Sequence, residues 1–317
     1  MRIVFLGTPD FAVATLDALI KASYNVVGVI TAPDRLGGRG RKQVIESAVK
    51  KFAVKSNIPV LQPTNLKSPA LQNELRSWKA DIQVVVAFRM LPVTVWDMPP
   101  LGTYNLHGSL LPAYRGAAPI NWAVIRGEEY TGVTTFKLKH EIDTGSIALQ
   151  AKVAIEKSDN VGDVHDKMML AGAQLMVRTL QALESDSLKL LEQDDTKVSK
   201  APKIFHEDCE IKTNETPLNI YNLIRGLSPY PLSWIHILDK KIKVISASYT
   251  FNKHTYTLGS VVSDGKSYLG IACDGGWIFL EKIKPEGKGI MRIRDFLNGQ
   301  QLKSSTSIFE LQSVILG

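Results

Sequence analysis

The sequence predicts an α/β protein: a Rossmann-like, doubly wound and mostly parallel sheet, followed by a small C-terminal β-barrel of the OB-like kind. Three observations carry that expectation. Short apolar runs alternate with helix-compatible stretches through the first part of the chain, as parallel strands joined by crossover helices require. "DIQVVVAF" (81–88) is apolar almost throughout, which suits a strand covered on both faces. Beyond Leu190 the pattern changes to short alternating runs broken by Gly, Asp and Lys, and that fits an antiparallel barrel.

Taken in order, "RIVFLG" (2–7) is the first strand, and a helix-like stretch follows to about Ala22. "NVVGVIT" (25–31) repeats the strand pattern. A Gly- and Arg-rich stretch (33–42) precedes a helical segment near 44–56, and "IPVLQP" (58–63) reads as a short third strand. "GTYNLH" (102–107) and "GVTTFKL" (132–138) continue the series. Gly7 stands alone in "GTPDFA", so the GxGxxG dinucleotide fingerprint is missing. Apolar residues at helical spacing over 161–183 predict a long amphipathic helix whose Met168, Met169 and Met176 fill the core. "EQDDTKVSKAPK" (192–203) is polar and aperiodic, the mark of a linker. After it come "KIKVISASYT", "GSVVSD", "SYLGIAC" and "WIFLEKI" as barrel strands. The expected division is a catalytic domain over 1–189, a linker over 190–208 and an OB-like domain over 209–317.

A chain of 317 residues suits two domains, and 44% apolar with 22% charged residues is ordinary for a soluble protein. No apolar run approaches the roughly 18–20 residues needed to cross a bilayer. The N-terminal "MRIVFLGTPDF" meets Asp10 too early for a signal peptide. Only Cys209 and Cys273 occur, without a CxxC. A disulfide or zinc site is not expected, and a reducing cytoplasm is. The net charge is +7, and it is unevenly spread. Between Asp34 and Lys55 seven cations face two anions, and from Lys240 onward eleven face six. Two basic regions suggest a polyanionic partner; on charge alone a solvated surface explains them equally well.

The chemistry centres on "NLHGSLLPAYRGAAPINW" (105–122). Strand side chains alternate, so Asn105 and His107 share a face, just before Gly108 at the carboxyl end where open α/β sheets bind ligands. An amide donor beside an imidazole can hold a developing oxyanion and move a proton. Pro112 and Pro119 stiffen the loop beyond the strand end, while Gly116, Ala117 and Ala118 permit close backbone approach. A rigid wall of this sort suits a flat ligand. Asp143, in "KHEIDTGSI" (139–147), follows the next strand and is expected beside the His107 end, where a carboxylate favours the imidazolium. A turn cap would account for Asp143 as well.

Together "RIVFLGTPDFAV", "NLHGSLLPAYRGAAPI" and "TGVTTFKLKHEIDTGSI" closely resemble the folate-dependent formyltransferases. "TAPDRLGGRGRK" (31–42) and "APKIFHEDCEI…IYNLIRGLSPYPLSW" (201–234) resemble the branch that acts on aminoacylated initiator tRNA in translation initiation. The resemblance runs from residue 2 to about 300. It implies that Asn105, His107 and Asp143 are catalytic. It implies that Ser109, Leu110, Leu111 and Pro112 line the folate site, with Phe88, Arg89, Met90 and Leu91 and with Glu141 and Ile142 beside the pterin. The "AFRMLP" turn departs from the longer Tyr-Gly turn of many relatives, and Lys139-His140-Glu141 is more charged than usual; His140 is read as solvent-facing. The donor implied is 10-formyltetrahydrofolate, a co-substrate, with no metal.

The resemblance also implies that Arg35, Arg39, Arg41 and Lys42 meet initiator methionyl-tRNA, while lysines of the barrel touch its backbone. A monomer is expected, since no long apolar heptads occur. Two alternatives stay open. A sugar-nucleotide N-formyltransferase acting on a UDP-amino sugar shares the catalytic block but has no evident use for the Arg-Gly loop. A non-enzymatic RNA-binding protein explains the charge but leaves Asn105, His107 and Asp143 without a purpose.

Overall fold

The computed structural model describes residues 1–37, 40, 43–237 and 240–298. Its first sheet has seven strands. In chain order they are β1 (Arg2–Gly7), β2 (Asn25–Ile30), a separate hairpin β3 (Arg35–Gly37) and β4 (Gln43–Ile45), then β5 (Val60–Leu61), β6 (Ile82–Val86) and β7 (Thr103–His107). After a short β8 (Arg115–Gly116) come β9 (Tyr130–Lys137) and β10 (Ile147–Ala154). The sheet runs β10-β9-β7-β6-β1-β2-β5. Strands β5, β2, β1, β6 and β7 pair in parallel, and β9 pairs antiparallel with both β7 and β10.

Helices α1 (Asp10–Lys21), α2 (Ala48–Lys55), α3 (Pro69–Ser77) and α4 (Val93–Trp96) connect the early strands. Both faces of the sheet are covered, which explains why β6 is apolar but for Gln83. Val4, Leu6, Ile30 and Val85 pack with Leu71 and Leu75 of α3 and Val95 of α4. After α5 (Pro119–Ile125), the long α6 (Val161–Glu184) covers the other face. A Cβ at Gly172 of α6 would lie 2.7 Å from Leu106 Cδ2 on β7, and Thr179 and Thr135 share a hydroxyl hydrogen bond of 2.7 Å.

A second sheet follows, six-stranded and antiparallel: β12 (Ser233–Ile237), β13 (Lys240–Thr250), β14 (Val261–Ser263), β15 (Leu269–Cys273), β16 (Gly276–Pro285) and β17 (Met291–Arg292), in the order β12-β13-β16-β15-β14 with β17 on β16. It encloses Ile220 and Ile224 of α7 (Pro217–Leu227) and Phe296 and Leu297 of α8 (Ile293–Asn298) in one apolar core. A polar pair at the start of α7 fixes where it begins: the Thr216 side chain accepts from Asn219 N–H, and Pro217 stands at the first turn.

The chain divides into two compact units, one of residues 1–119, 130–154 and 165–202, the other of 120–129, 155–164 and 203–317. Much of the stretch whose composition suggests a linker is built into the first unit. Leu191 and Ile147 exchange backbone hydrogen bonds of 2.9 and 2.7 Å, and β11 (Lys200–Ala201) pairs in parallel with β8. On the two sides of the Arg-Gly stretch β3 and β4 pair antiparallel. Among the described residues no helix is long and apolar enough to cross a membrane.

Candidate active site

Register decides which side chains meet. Val85 of β6 stands opposite Asn105 of β7, and Phe136 and Thr134 of β9 stand opposite Asn105 and His107. Asn105 and His107 therefore share the sheet face that carries Val85 and the α3–α4 core. On one side of them the turn after β6 brings Phe88 and Leu91 against that same core. On the other side the 109–112 loop crosses β9, where Leu111 packs on Phe136 and Ile147. The turn after β6 and the 109–112 loop thus flank Asn105 and His107 at the carboxyl end of β7.

The wall predicted at 109–112 is braced from behind. Thr134 Oγ1 donates to Ser109 O at 2.7 Å, and Leu111 N donates to Thr134 Oγ1 at 3.1 Å. Gln150 Nε2 donates to Leu111 O at 2.9 Å. Ser109 is fully buried, with its hydroxyl donating to Ala113 O at 2.6 Å. Leu110 leans on Gly132, where a Cβ would come within 2.5 Å of it. Both leucines thus brace the loop against β9, while Pro112 is half-buried at its end.

His107 is buried, and its Nε2 lies 3.0 Å from Tyr114 O. A carbonyl only accepts, so Nε2 carries a proton and Nδ1 is the nitrogen left to gain or lose one. Nδ1 faces Asp143 Oδ1 at 3.8 Å, close enough for an ion pair but too long for a hydrogen bond. The other carboxylate oxygen, Oδ2, accepts from Gly116 N–H at 3.0 Å. Gly116 is obligatory there: its φ is +133°, and a Cβ would sit 2.4 Å from Ala201 O. Asn105 is half-buried, and among the described residues its amide has no hydrogen-bond partner. An unengaged amide two residues from a positioned imidazole is a donor in waiting.

Asp143 reaches His107 by a route different from the expected one. A loop after a parallel strand would begin at the His107 edge, but β9 is antiparallel and ends with Lys137 opposite Tyr104. The loop doubles back, about 10 Å over three residues of strand, and Asp143 adopts a left-handed φ of +57° in doing so.

The other expected folate contacts are placed as follows. Arg89 is turned aside: its guanidinium lies 5.7 Å over the Phe88 ring and donates to the Pro63 and Thr64 carbonyls. Met90 is 71% exposed and Ile142 62%, and Glu141 and His140 are exposed too. Arg35 is exposed on β3; Arg39, Arg41 and Lys42 lie outside the described residues. Sequence reasoning misses Tyr114 and Gln193. Gln193 Nε2 donates to Asp143 O and Gly145 O at 2.7 and 2.8 Å. The Gly116 turn is legible as a place of close approach; an amide in an aperiodic polar run gives no signal.

A sheet edge that gathers an amide, an imidazole and a carboxylate beside a braced wall has the groups to hold a developing oxyanion and to move a proton. The chain belongs to the formyl transferase family: the family's formyl transferase model matches residues 1–180, and its C-terminal domain model matches residues 203–301. Curated relatives named methionyl-tRNA formyltransferase include one from Azobacteroides pseudotrichonymphae, 49% identical over 94% of this chain and 95% of its own. Another, from Bacteroides thetaiotaomicron, is 47% identical over 95% of this chain and 96% of its own. The fold is also similar to a solved N-formyltransferase from Helicobacter canadensis in complex with folinic acid and dTDP-3-aminofucose, with TM-score 0.67 and 21% identity over 88% of this chain and 98% of that one.

Proposed function

We propose that this protein transfers the formyl group of 10-formyltetrahydrofolate to the amino group of methionyl initiator tRNA, with Asn105, His107 and Asp143 as the catalytic residues. The folate supplies the formyl group: a bond forms from the methionyl nitrogen to the formyl carbon, the bond from that carbon to folate N10 breaks, and the amine proton ends on N10. The substrate assignment rests on relatives of that name at near half identity over nearly the whole chain. The chemical assignment rests on one observation above all: the Asn105 amide has no partner of its own among the described residues beside a ring whose Nδ1 faces a carboxylate.

In this reading Asn105 Nδ2 and His107 Nδ1 donate to the carbonyl oxygen as it gains negative charge. Tyr114 O fixes the ring and its tautomer through Nε2. Asp143, locked by the Gly116 N–H, stands opposite Nδ1 and lays its carboxylate beside the reacting centre. The 109–112 wall, Phe88, Met90, Leu91, Glu141 and Ile142 hold the pterin, and Arg89 contributes through its backbone since its guanidinium is engaged elsewhere. The cations Arg35, Arg39, Arg41 and Lys42 take the acceptor end of the tRNA through its phosphates, and a monomer suffices for the whole reaction.

Two measurements test this. Offered a labelled formyl donor, charged initiator tRNA and a UDP-amino sugar together, the protein labels the tRNA; labelled sugar instead would overturn the substrate assignment. Asn105→Ala loses one preorganised oxyanion donor, about 3–4 kcal/mol or roughly 100–1000-fold in kcat, with tRNA binding nearly unchanged. Turnover above half of wild type would remove Asn105 from the mechanism.

A further inference from the structure

A belt of polar contacts runs behind the Asp143 loop. Glu192 accepts from Lys139 Nζ at 2.7 Å and from Ser146 Oγ at 2.9 Å. Ser199 Oγ accepts from Tyr114 N–H at 2.9 Å, and Ser199 O accepts from Arg115 N–H at 2.9 Å. The densest point is Gln193. Its Nε2 donates to the carbonyls of Asp143 and Gly145, while its Oε1 accepts from Arg115 Nε at 3.0 Å and Nη2 at 2.7 Å. Every donor and acceptor position of one amide is therefore used.

The two ends of that amide grip the two segments that fix the catalytic pair. Arg115 lies between Tyr114, whose carbonyl takes His107 Nε2–H, and Gly116, whose N–H holds Asp143 Oδ2. Asp143 itself sits at a left-handed φ that costs a non-glycine residue free energy and persists only where its surroundings over-determine it. The bond from Gln193 to the Asp143 carbonyl is such a determinant. Next to it Gly145 is threaded so tightly that a Cβ would lie 1.9 Å from Lys137 O, so the loop has no slack to relax on its own account.

We propose that Gln193 is a positioning residue: its amide ties the Asp143–Gly145 loop to the Arg115–Gly116 turn and thereby sets the separation of Asp143 from His107. The inference deepens the formyl-transfer reading and rests on it, because that reaction is what registers the separation. An Asp143 displaced by about an ångström would cost on the order of 100-fold.

Gln193→Ala and Gln193→Glu test it. The glutamate variant keeps the length and can still accept from Arg115, but it has no donor for the two carbonyls. Both variants are expected to lose roughly 10–100-fold in kcat, with KM for folate and for tRNA within about twofold of wild type. On an Asp143→Asn background the further loss from Gln193→Ala is expected to shrink below about threefold, since the residue it positions no longer carries the charge. A loss that multiplies in full, a change confined to KM, or a glutamate variant as active as wild type would overturn the proposal. A readout without catalysis accompanies these: amide exchange at Gly116 accelerates about tenfold or more in Gln193→Ala if the bond to Asp143 Oδ2 depends on Gln193. Unchanged exchange also overturns the inference. A wild-type protein that leaves methionyl-tRNA unformylated would sink the functional reading alone, because Gly116 exchange would still report on Gln193.

Discussion

The hairpin β3–β4 and the belt at 191–201 both belong to the first unit, and they are fastened in opposite ways. The hairpin is clasped at its root. Lys50 of α2 bridges Asp34 on one side and Glu46, at 2.7 Å, on the other, and Gln62 Nε2 donates to Ala32 O and Asp34 Oδ1 at 2.8 and 2.7 Å. Beyond the clasp Leu36 and Val44 are more than half exposed. The belt is fixed at Leu191, Glu192, Gln193, Asp195, Ser199 and Ala201 in turn. A segment held along its length can set the geometry of the groups it touches. One held at its root can only present itself to something that arrives. The first should therefore act on kcat and the second on the KM for tRNA.

The largest effect expected falls on the belted side. Asp143→Asn keeps the size of the side chain and an oxygen for Gly116 N–H, but removes the charge facing His107 Nδ1. A kcat loss of about 100-fold or more is expected, within the range of a positioned acid–base group, with both KM values close to wild type. Single-turnover formylation measures it. A change in tRNA KM larger than the change in kcat would break the division between the two regions.

Neutralising the hairpin comes next. Arg39→Gln with Arg41→Gln removes two cations, proposed to meet tRNA phosphates, from a segment whose sequence marks it as basic. The KM for tRNA should rise about tenfold, and the slope of log affinity against log salt should flatten by about two, while kcat at saturating tRNA holds. A fall in kcat at saturation would mean the hairpin shapes the site and not only its partner's approach.

Much of this division can be read from residues. Asn105 and His107 declare a shared face because strand period is two, and 81–88 declares a covered strand because it never alternates. Residues 147–154, 217–227 and 233–237 draw no expectation from their sequence, and they form β10, α7 and β12. Asp143 is expected in the right company for an incomplete reason, since the antiparallel β9 puts its loop at the far edge and only the return path brings the carboxylate back. Gln193 is hidden for a deeper reason. Its partners lie 48, 50 and 78 residues away, and an amide bonding to carbonyls and a guanidinium leaves no periodicity behind. An aperiodic polar run means a linker by composition; here it marks a segment whose backbone follows another surface.

The smallest effect sharpens how the belt is anchored. Asp194, directly after Gln193, has its carboxyl pulled down from 3.8 to about 2, chiefly by the Thr196 hydroxyl, then by the Lys197 ammonium and the Thr196 N–H. Oδ1 accepts from Thr196 N–H at 3.0 Å and from its hydroxyl at 2.6 Å, and Lys197 Nζ stands 3.1 Å from Oδ2. A carboxylate depressed in the folded state stabilises the fold fully above its unfolded pKa, and that contribution fades as pH falls from about 4 through about 2. The group is exposed, so the consequence is local: the turn at 195–197 loosens in acid while the sheet stays intact. The Thr196 amide resonance should titrate with a midpoint near 2, and Asp194→Asn should abolish that titration. A midpoint near 4 would show the capping bonds to be dispensable, leaving Gln193, Asp195 and Ser199 to hold this stretch of the belt between them.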